Sequence, residues 1–128
     1  VNCTQINSKT STDIIEIDRI KNAIDNTSMF LEKIFTEKEI RQFNLEKLRI
    51  ESVAGNFAVK EAVSKALGTG IRGFSFKDIE VFRNELGKPQ VVVSENVEKI
   101  IGKDNFIFHI SISHNKTNAI AFAVLEVY

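Results

Sequence analysis

Apolar residues recur at helical spacing through the first half of the chain. We predict helical segments after Asp18, a residue type that caps helices, and again over 30–35. Residues 36–39 (TEKE) have the form of a capping box, which predicts a new helical turn there. A β-branched run at 14–17 favours the end of a strand, whereas residues 1–11 are polar and carry little pattern.

One long helix is predicted in the middle of the chain. We expect it to begin at Asn44, a candidate N-cap, and to run to about Leu67, with Gly68 and Gly70 ending it. Apolar residues lie on nearly every side of this helix. A helix of that kind is expected to be mostly buried.

Glu61 and Lys65 are charged residues on one stripe of that helix. The stripe otherwise carries small residues such as Ala54 and Ala58, which leave room for a ligand to approach. A buried charge is costly unless it is paired or bound to a metal. The alternative interpretation is an i, i+4 surface ion pair, which is common on helices and needs no function.

The second half of the chain changes to strand periodicity. Two short strands are predicted on either side of a turn at 84–89, and a short helix is predicted to end at Gly102. Two stronger strands follow, joined by a hairpin connection at 114–118. Helices followed by mainly antiparallel strands predict an α+β fold, with the long helix packed on the sheet.

Composition narrows the class of protein. The 128 residues carry 17 Lys and Arg against 17 Asp and Glu, so we predict no nucleic-acid and no membrane partner. No apolar run is long enough to span a membrane or to form a signal peptide, and the single cysteine, Cys3, fits a reducing cytoplasm. A chain of this length is expected to form one domain over 1–128. Because it begins with Val1 and its only methionine is Met29, we expect the natural chain to start upstream.

A few side chains combine into coherent chemistry. Asp13 and Glu61 suit a hard cation such as Mg²⁺, which takes one or two carboxylates together with water and substrate phosphate. Lys65 can neutralise phosphate oxygens, and His114 can donate to a phosphate or move a proton. This set favours metal-assisted phosphoryl-type transfer over other reaction classes.

Each of these residues also has an ordinary structural interpretation. Asp13 suits a helix cap or an edge charge, His114 suits a turn, and the GKP segment at 87–89 has the composition of a turn. The sequence contains no recognisable Ser-His-Asp pattern, no zinc-ligand spacing and no glycine-rich phosphate loop. Those three kinds of site are therefore not predicted.

Four motifs occur in an order and spacing that resemble one family. They are DIIEIDRI at 13–20, FAVKEA with KALGTG over 57–70, GKP at 87–89 and SISH at 111–114. Together they closely resemble the holo-[acyl-carrier-protein] synthases of the 4′-phosphopantetheinyl transferase superfamily. The resemblance runs from about residue 13 to the C-terminus.

The resemblance implies a fold, a reaction and an assembly. Enzymes of this family transfer 4′-phosphopantetheine from coenzyme A to a serine of apo acyl carrier protein, in fatty acid biosynthesis. Adenosine 3′,5′-bisphosphate is released, and Mg²⁺ is needed. The single-length members are homotrimers with sites between neighbouring subunits, so a homotrimer with a 4′-phosphopantetheinyl transferase-like fold is expected here.

The resemblance also implies roles for individual residues. Asp13 and Glu61 match the metal ligands, and Lys65 matches a diphosphate contact that also handles a proton at the leaving group. Arg19, assisted by Lys21, matches the basic residue that meets the acidic carrier protein. The base that takes the serine proton stays open between a water on the metal, Glu61 and Asp13. Coenzyme A contacts are implied for Ser64, Lys65, Gly68, Pro89 and His114.

Three departures from the family pattern keep a second function open. The family usually has glycines where this chain has Lys9 and Ser11, and larger side chains there oppose a close approach of backbone to ligand. Where this chain has Asn56, the family often has Arg, so one phosphate contact is lost or supplied elsewhere. Where this chain has Asn115, the family often has Thr. The alternative is a non-catalytic oligomeric protein that binds a nucleotide or a carrier protein.

Overall fold

The computed structural model describes residues 7–102 and 105–128. Cys3 lies outside the described residues. The helices are α1 (Ile17–Asn26), α2 (Phe30–Ile34), α3 (Glu37–Gln42), α4 (Ile50–Ala66) and α5 (Glu95–Ile101). The strands are β1 (Asn7–Glu16), β2 (Ile79–Arg83), β3 (Pro89–Val93), β4 (Phe106–His114) and β5 (Asn118–Val127).

The strands form two antiparallel sheets. One has the order β1-β5-β4, and the other is the β2-β3 hairpin. Helix α4 packs across the three-stranded sheet, chiefly on β5 and β1. The predicted α+β fold, with the long helix on a mainly antiparallel sheet, is confirmed.

Small residues let α4 lie close to the sheet. Ala54, Ala58 and Ala62 of the helix and Ala119, Ala121 and Ala123 of β5 are all fully buried. At Gly55 an added Cβ would lie 3.0 Å from the Cγ2 atom of Ile112 on β4, so that turn of the helix has little room for a side chain. Close helix–sheet packing fixes the α4 backbone, and its buried side chains, relative to β1.

The local signals at helix starts had mixed outcomes. The capping box is confirmed, since the Thr36 hydroxyl accepts from Glu39 N at 3.2 Å and Thr36 N donates to the Glu39 carboxylate at 3.0 Å. The start of the long helix at Asn44 is wrong, because Asn44 adopts a left-handed conformation (φ 49°) before a short 3₁₀ turn and α4 begins at Ile50. Asp18 lies in the first turn of α1 instead of capping it, where its charge still suits the helix dipole.

Strand β1 begins earlier than the sequence pattern predicted. Residues 7–11 are polar, yet they belong to a continuous antiparallel ladder with β5 in which Asn7 pairs with Val127. Non-local pairing with β5 therefore decides the conformation of a segment whose own residues give little signal.

The face of the three-stranded sheet that points away from α4 is apolar and uncovered in the single chain. We call it the outer sheet face; it carries the exposed side chains of Ile14, Ile107, Ile120 and Phe122. Ile14 and Ile120 are directly opposite one another in the β1–β5 ladder, and Ile14 is 63% exposed. Contiguous exposed apolar residues of this kind are typical of an interface. In the described part of the chain, every helix is too short or too polar to cross a bilayer.

A fully buried ion pair joins α4 to the β2 side of the molecule. Lys60 Nζ lies 2.7 Å from the Glu39 carboxylate, and both side chains are inaccessible to solvent. The ammonium also donates to the carbonyl oxygens of Phe76 and Ile79, and the other Glu39 oxygen accepts from Val81 N at 3.1 Å. Burial lowers the pKa of Lys60, and the Glu39 charge opposes that shift. The pair is thus satisfied by hydrogen bonds on both sides, as a buried pair must be.

Candidate active site

One cleft contains both predicted metal ligands. Asp13, on β1, and Glu61, on α4, line a cleft of about 460 Å³, and Arg19 of α1 lies on its wall. Asp13 pairs with Ala121 of β5, and that ladder together with the α4–β1 packing brings the two carboxylates into one space. The helix-cap interpretation of Asp13 is wrong, because the residue lies inside a strand.

The electrostatics of this cleft suit a cation. Burial raises the pKa of Glu61, the negative charge of Asp13 raises it further, and Lys65 opposes both effects. The ionised form of Glu61 is therefore less favourable in the folded protein than in the unfolded chain. Within residues 7–102 and 105–128 there is no group of three or more His, Cys, Asp and Glu residues placed to hold a metal. Two carboxylates with open positions fit Mg²⁺, which keeps water and takes substrate phosphate as further ligands.

Lys65 contacts the other carboxylate. Its Nζ lies 2.9 Å from Asp13 Oδ1 and 3.2 Å from the carbonyl oxygen of Thr12. The i, i+4 interpretation is wrong as stated, since the ion pair that Lys65 makes within the described residues is with Asp13 and not with Glu61. The side chain of Asp13 is 14% exposed, and that of Lys65, its partner, is 51% exposed. We therefore describe Lys65 as lying at the mouth of the cleft. The charged stripe of α4 is not fully buried there.

The side chain of Ser11 does not line the cleft between Asp13 and Glu61. Its hydroxyl donates to the carbonyl oxygen of Ala62, the residue after Glu61. Lys9 is exposed on the same strand. Ser11 therefore cross-links β1 and α4 beside the two carboxylates.

The end of α4 holds two further predicted contacts. Ser64 is fully buried, and its hydroxyl donates to the Glu61 carbonyl oxygen at 2.7 Å. Gly68 follows the helix with φ 82°, a conformation that favours glycine. The predicted glycine stop of the long helix is confirmed.

The remaining predicted contacts lie elsewhere in the single chain. Pro89 lines a second cleft, with Lys88 and Gln90 among its neighbours. His114 ends β4, which is separated from β1 by β5. Asn115 closes the turn that follows, because its Oδ1 accepts hydrogen bonds from Thr117 N and Asn118 N. The turn role that was predicted as an alternative for His114 therefore belongs to Asn115. Among the clefts formed by the described residues, Pro89 and Asp13 line two different ones.

Arg83 is a residue that the sequence did not single out. Its Nη2 donates to Asn56 Oδ1 at 3.1 Å, and burial lowers the pKa of its guanidinium. Asn56, Arg83, Lys47 and Arg49 line one cleft of about 390 Å³. Asn56 and Arg83 are 27 positions apart in the sequence, so no local pattern predicts that they pair. A guanidinium thus lies beside the position where the family often has Arg.

The basic residues of α1 are placed on the surface. Arg19 and Lys21 are both exposed, and Arg19 belongs to the wall of the cleft that holds Asp13 and Glu61. A partner that contacts Arg19 therefore lies next to the two carboxylates.

Comparisons with known proteins show the family. The family model of the 4′-phosphopantetheinyl transferase superfamily matches residues 11–124. A holo-[acyl-carrier-protein] synthase of Clostridium perfringens is 56% identical over 119 residues, which cover 89% of this chain and 90% of that protein.

Solved structures give the same result. The holo-(acyl-carrier-protein) synthase of Bacillus anthracis in complex with CoA (3′,5′-ADP) is 42% identical with a TM-score of 0.78, over 94% of this chain and 96% of that one. The Helicobacter pylori holo-[acyl-carrier-protein] synthase in complex with coenzyme A is 36% identical with a TM-score of 0.78, over 91% and 98%. The resemblance predicted from the four motifs is confirmed, as is the expectation of an enzyme: the chain belongs to the 4′-phosphopantetheinyl transferase superfamily, among the holo-[acyl-carrier-protein] synthases.

Proposed function

We propose that this protein transfers 4′-phosphopantetheine from coenzyme A to a serine of apo acyl carrier protein and releases adenosine 3′,5′-bisphosphate. The observation that carries the proposal is the cleft shared by Asp13, Glu61 and Arg19, with Lys65 at its mouth. Relatives solved with coenzyme A and 3′,5′-ADP support the donor. The reaction belongs to fatty acid biosynthesis, and the single cysteine favours the cytoplasm as its location.

Asp13 and Glu61 would hold Mg²⁺ in this proposal. The bound ion supplies positive charge to the diphosphate of coenzyme A, where negative charge grows during transfer. Lys65 adds a second positive charge for the phosphate oxygens, and Ser64 and Gly68 shape the end of α4 beside it. Asp13 and Glu61 are held in place by the β1–β5 ladder and by the Ser11 bond to Ala62, so little reorganisation is needed.

We propose a homotrimer in which neighbouring subunits complete each site. Asp13 and Glu61 lie in one cleft of a chain, Pro89 lies in another, and His114 lies on the far edge strand. In the proposed trimer, one copy supplies Asp13 and Glu61 to a coenzyme A molecule and its neighbour supplies some of the other contacts. The outer sheet face supports this assembly, because it leaves apolar side chains that a neighbouring copy would cover.

Arg83 supplies a phosphate contact that Asn56 does not make. Asn56 accepts a hydrogen bond from the Arg83 guanidinium and so orients it, while Lys47 and Arg49 line the same cleft. A guanidinium that is accessible to solvent and held by Asn56, with other cations lining the same cleft, favours an anion such as the phosphate groups of coenzyme A.

Mass spectrometry tests the function directly. Apo acyl carrier protein incubated with this protein, Mg²⁺ and coenzyme A is expected to gain the mass of one phosphopantetheine. Omission of the protein or chelation of the metal with EDTA is expected to abolish the gain. If the carrier protein binds without any change in mass, the non-catalytic binding function is correct instead.

Arg19→Glu tests the carrier-protein surface. The reversed charge repels an acidic partner, so the KM for carrier protein is expected to rise by about tenfold, and by more than the KM for coenzyme A, because Arg19 also lies on the wall of the Asp13–Glu61 cleft. Steady-state kinetics with each substrate varied in turn measures both constants. Lys99→Glu, at an exposed position on α5, makes the same charge change and should leave both constants as in the wild type. An equal rise in both constants for Arg19→Glu would contradict this assignment.

A further inference from the structure

At the cleft mouth, the Lys65 ammonium lies beside Asp13, where the proposed metal ion would bind. Lys65 Nζ is 2.9 Å from Asp13 Oδ1 and also bonds the Thr12 carbonyl oxygen. Asp13 is mostly buried, whereas half of the Lys65 side chain is in solvent. The carboxylate is therefore fixed, and the ammonium sits on a long side chain with space to move away.

An ammonium and a divalent cation compete for such a carboxylate. Mg²⁺ binds carboxylate oxygens at about 2.0–2.1 Å, so an ammonium in hydrogen-bonding contact with the same group would lie within a few ångströms of the ion. Two cations at that separation repel strongly in a partly desolvated cleft. This repulsion weakens the present contact of Lys65 with Asp13 Oδ1 when the carboxylate binds the metal, even if the metal takes the other oxygen.

We propose that Lys65 is a placeholder cation, which neutralises Asp13 until the metal displaces it and frees its ammonium for the diphosphate. The inference rests on the proposed function for its metal and substrate. The inference has a thermodynamic consequence. Metal binding releases the Lys65 ammonium, which can then bind the diphosphate, and a bound diphosphate keeps that ammonium away from Asp13. Each ligand is therefore expected to tighten the binding of the other, through one side chain with two positions.

Metal titration without coenzyme A tests the first half of the inference. The probe is Mn²⁺, followed by its electron paramagnetic resonance signal and by calorimetry. Lys65→Met removes the competing charge, and we expect Mn²⁺ to bind about two- to fivefold more tightly than to the wild type, the range of a half-exposed ion pair. Lys65→Arg keeps a competing cation and is expected to bind like the wild type.

A matched control separates competition from general charge. Lys38→Met, on the exposed side of α3, makes the same change in net charge at a residue that does not line the Asp13–Glu61 cleft. It is expected to leave Mn²⁺ affinity unchanged. A gain as large in Lys38→Met as in Lys65→Met would overturn the inference, because it would be a net-charge effect.

A second titration, in saturating coenzyme A, tests the coupling. Coenzyme A is expected to raise the Mn²⁺ affinity of the wild type by more than it raises that of Lys65→Met. If Lys65→Met binds Mn²⁺ no more tightly than the wild type in the absence of coenzyme A, the placeholder role is overturned and the proposed function stays intact. If the wild type binds no Mn²⁺ with or without coenzyme A, the placeholder role and the metal site both fail.

Discussion

Glu61→Gln is expected to lower the transfer rate by about two to three orders of magnitude, the size of effect that follows loss of one electrostatic group from a transfer site. The amide keeps the shape of the side chain and removes the charge that would hold the metal. The rate is measured by the mass gain of carrier protein over time. Glu98→Gln, at an exposed position on α5, is the matched control and should retain full activity. Full activity in Glu61→Gln would contradict the metal assignment.

The same variant separates function from folding. The pKa of Glu61 is raised in the folded protein, so the folded state releases its proton at higher pH than the unfolded chain does. Above the folded pKa, ionised Glu61 therefore works against folding. In EDTA at neutral pH, Glu61→Gln is expected to melt at a slightly higher temperature than the wild type, and the difference should disappear below the ordinary pKa of glutamate. Light scattering after size-exclusion chromatography is expected to find a trimer for both proteins.

Lys60→Met is expected to destabilise the protein by about 3–5 kcal/mol, because it leaves the Glu39 carboxylate buried without its partner. The two carbonyl groups of 76–79 that Lys60 binds lose their donor as well. Urea unfolding followed by circular dichroism measures the change, at one fixed protomer concentration because assembly contributes to stability.

A double variant and a surface control complete this test. Lys60→Met combined with Glu39→Gln removes both charges, so the loss of stability is expected to be smaller than the sum of the two single losses. Lys77→Met, at an exposed position in the 3₁₀ turn Phe76–Asp78, should change the free energy of unfolding little. If Lys60→Met cost no more than Lys77→Met, the pair would not be the buried, essential contact that its geometry indicates.

The sequence predicted best what depends on neighbouring residues. The capping box at 36–39 and the glycine stop after α4 follow from contacts within one helical turn, and both are present. Asn44 misled because the same residue type caps helices and tolerates a left-handed backbone, and only the contacts of the surrounding chain decide between the two.

The site was predicted by its chemistry and not by its contacts. Asp13, Glu61 and Lys65 were selected as a set. Asp13 and Glu61 line one cleft and Lys65 pairs with Asp13, but this partner of Lys65 is set by the packing of α4 on β1. Sequence spacing favoured Glu61 as that partner. The Arg83–Asn56 bond likewise depends on two distant elements meeting, so it has no local signature.

Lys60 was overlooked because a lysine beside a glutamate on a helix resembles surface charge. Its ammonium is enclosed by Glu39 and by two carbonyl groups, so an amine-reactive reagent cannot reach it in the native state. Lys65, on the same helix, is open to such a reagent. The ratio of the acylation rate of Lys60 to that of Lys65 would therefore report how often the protein interior opens to solvent. Lys60 would be the probe and Lys65, five residues away, the reference.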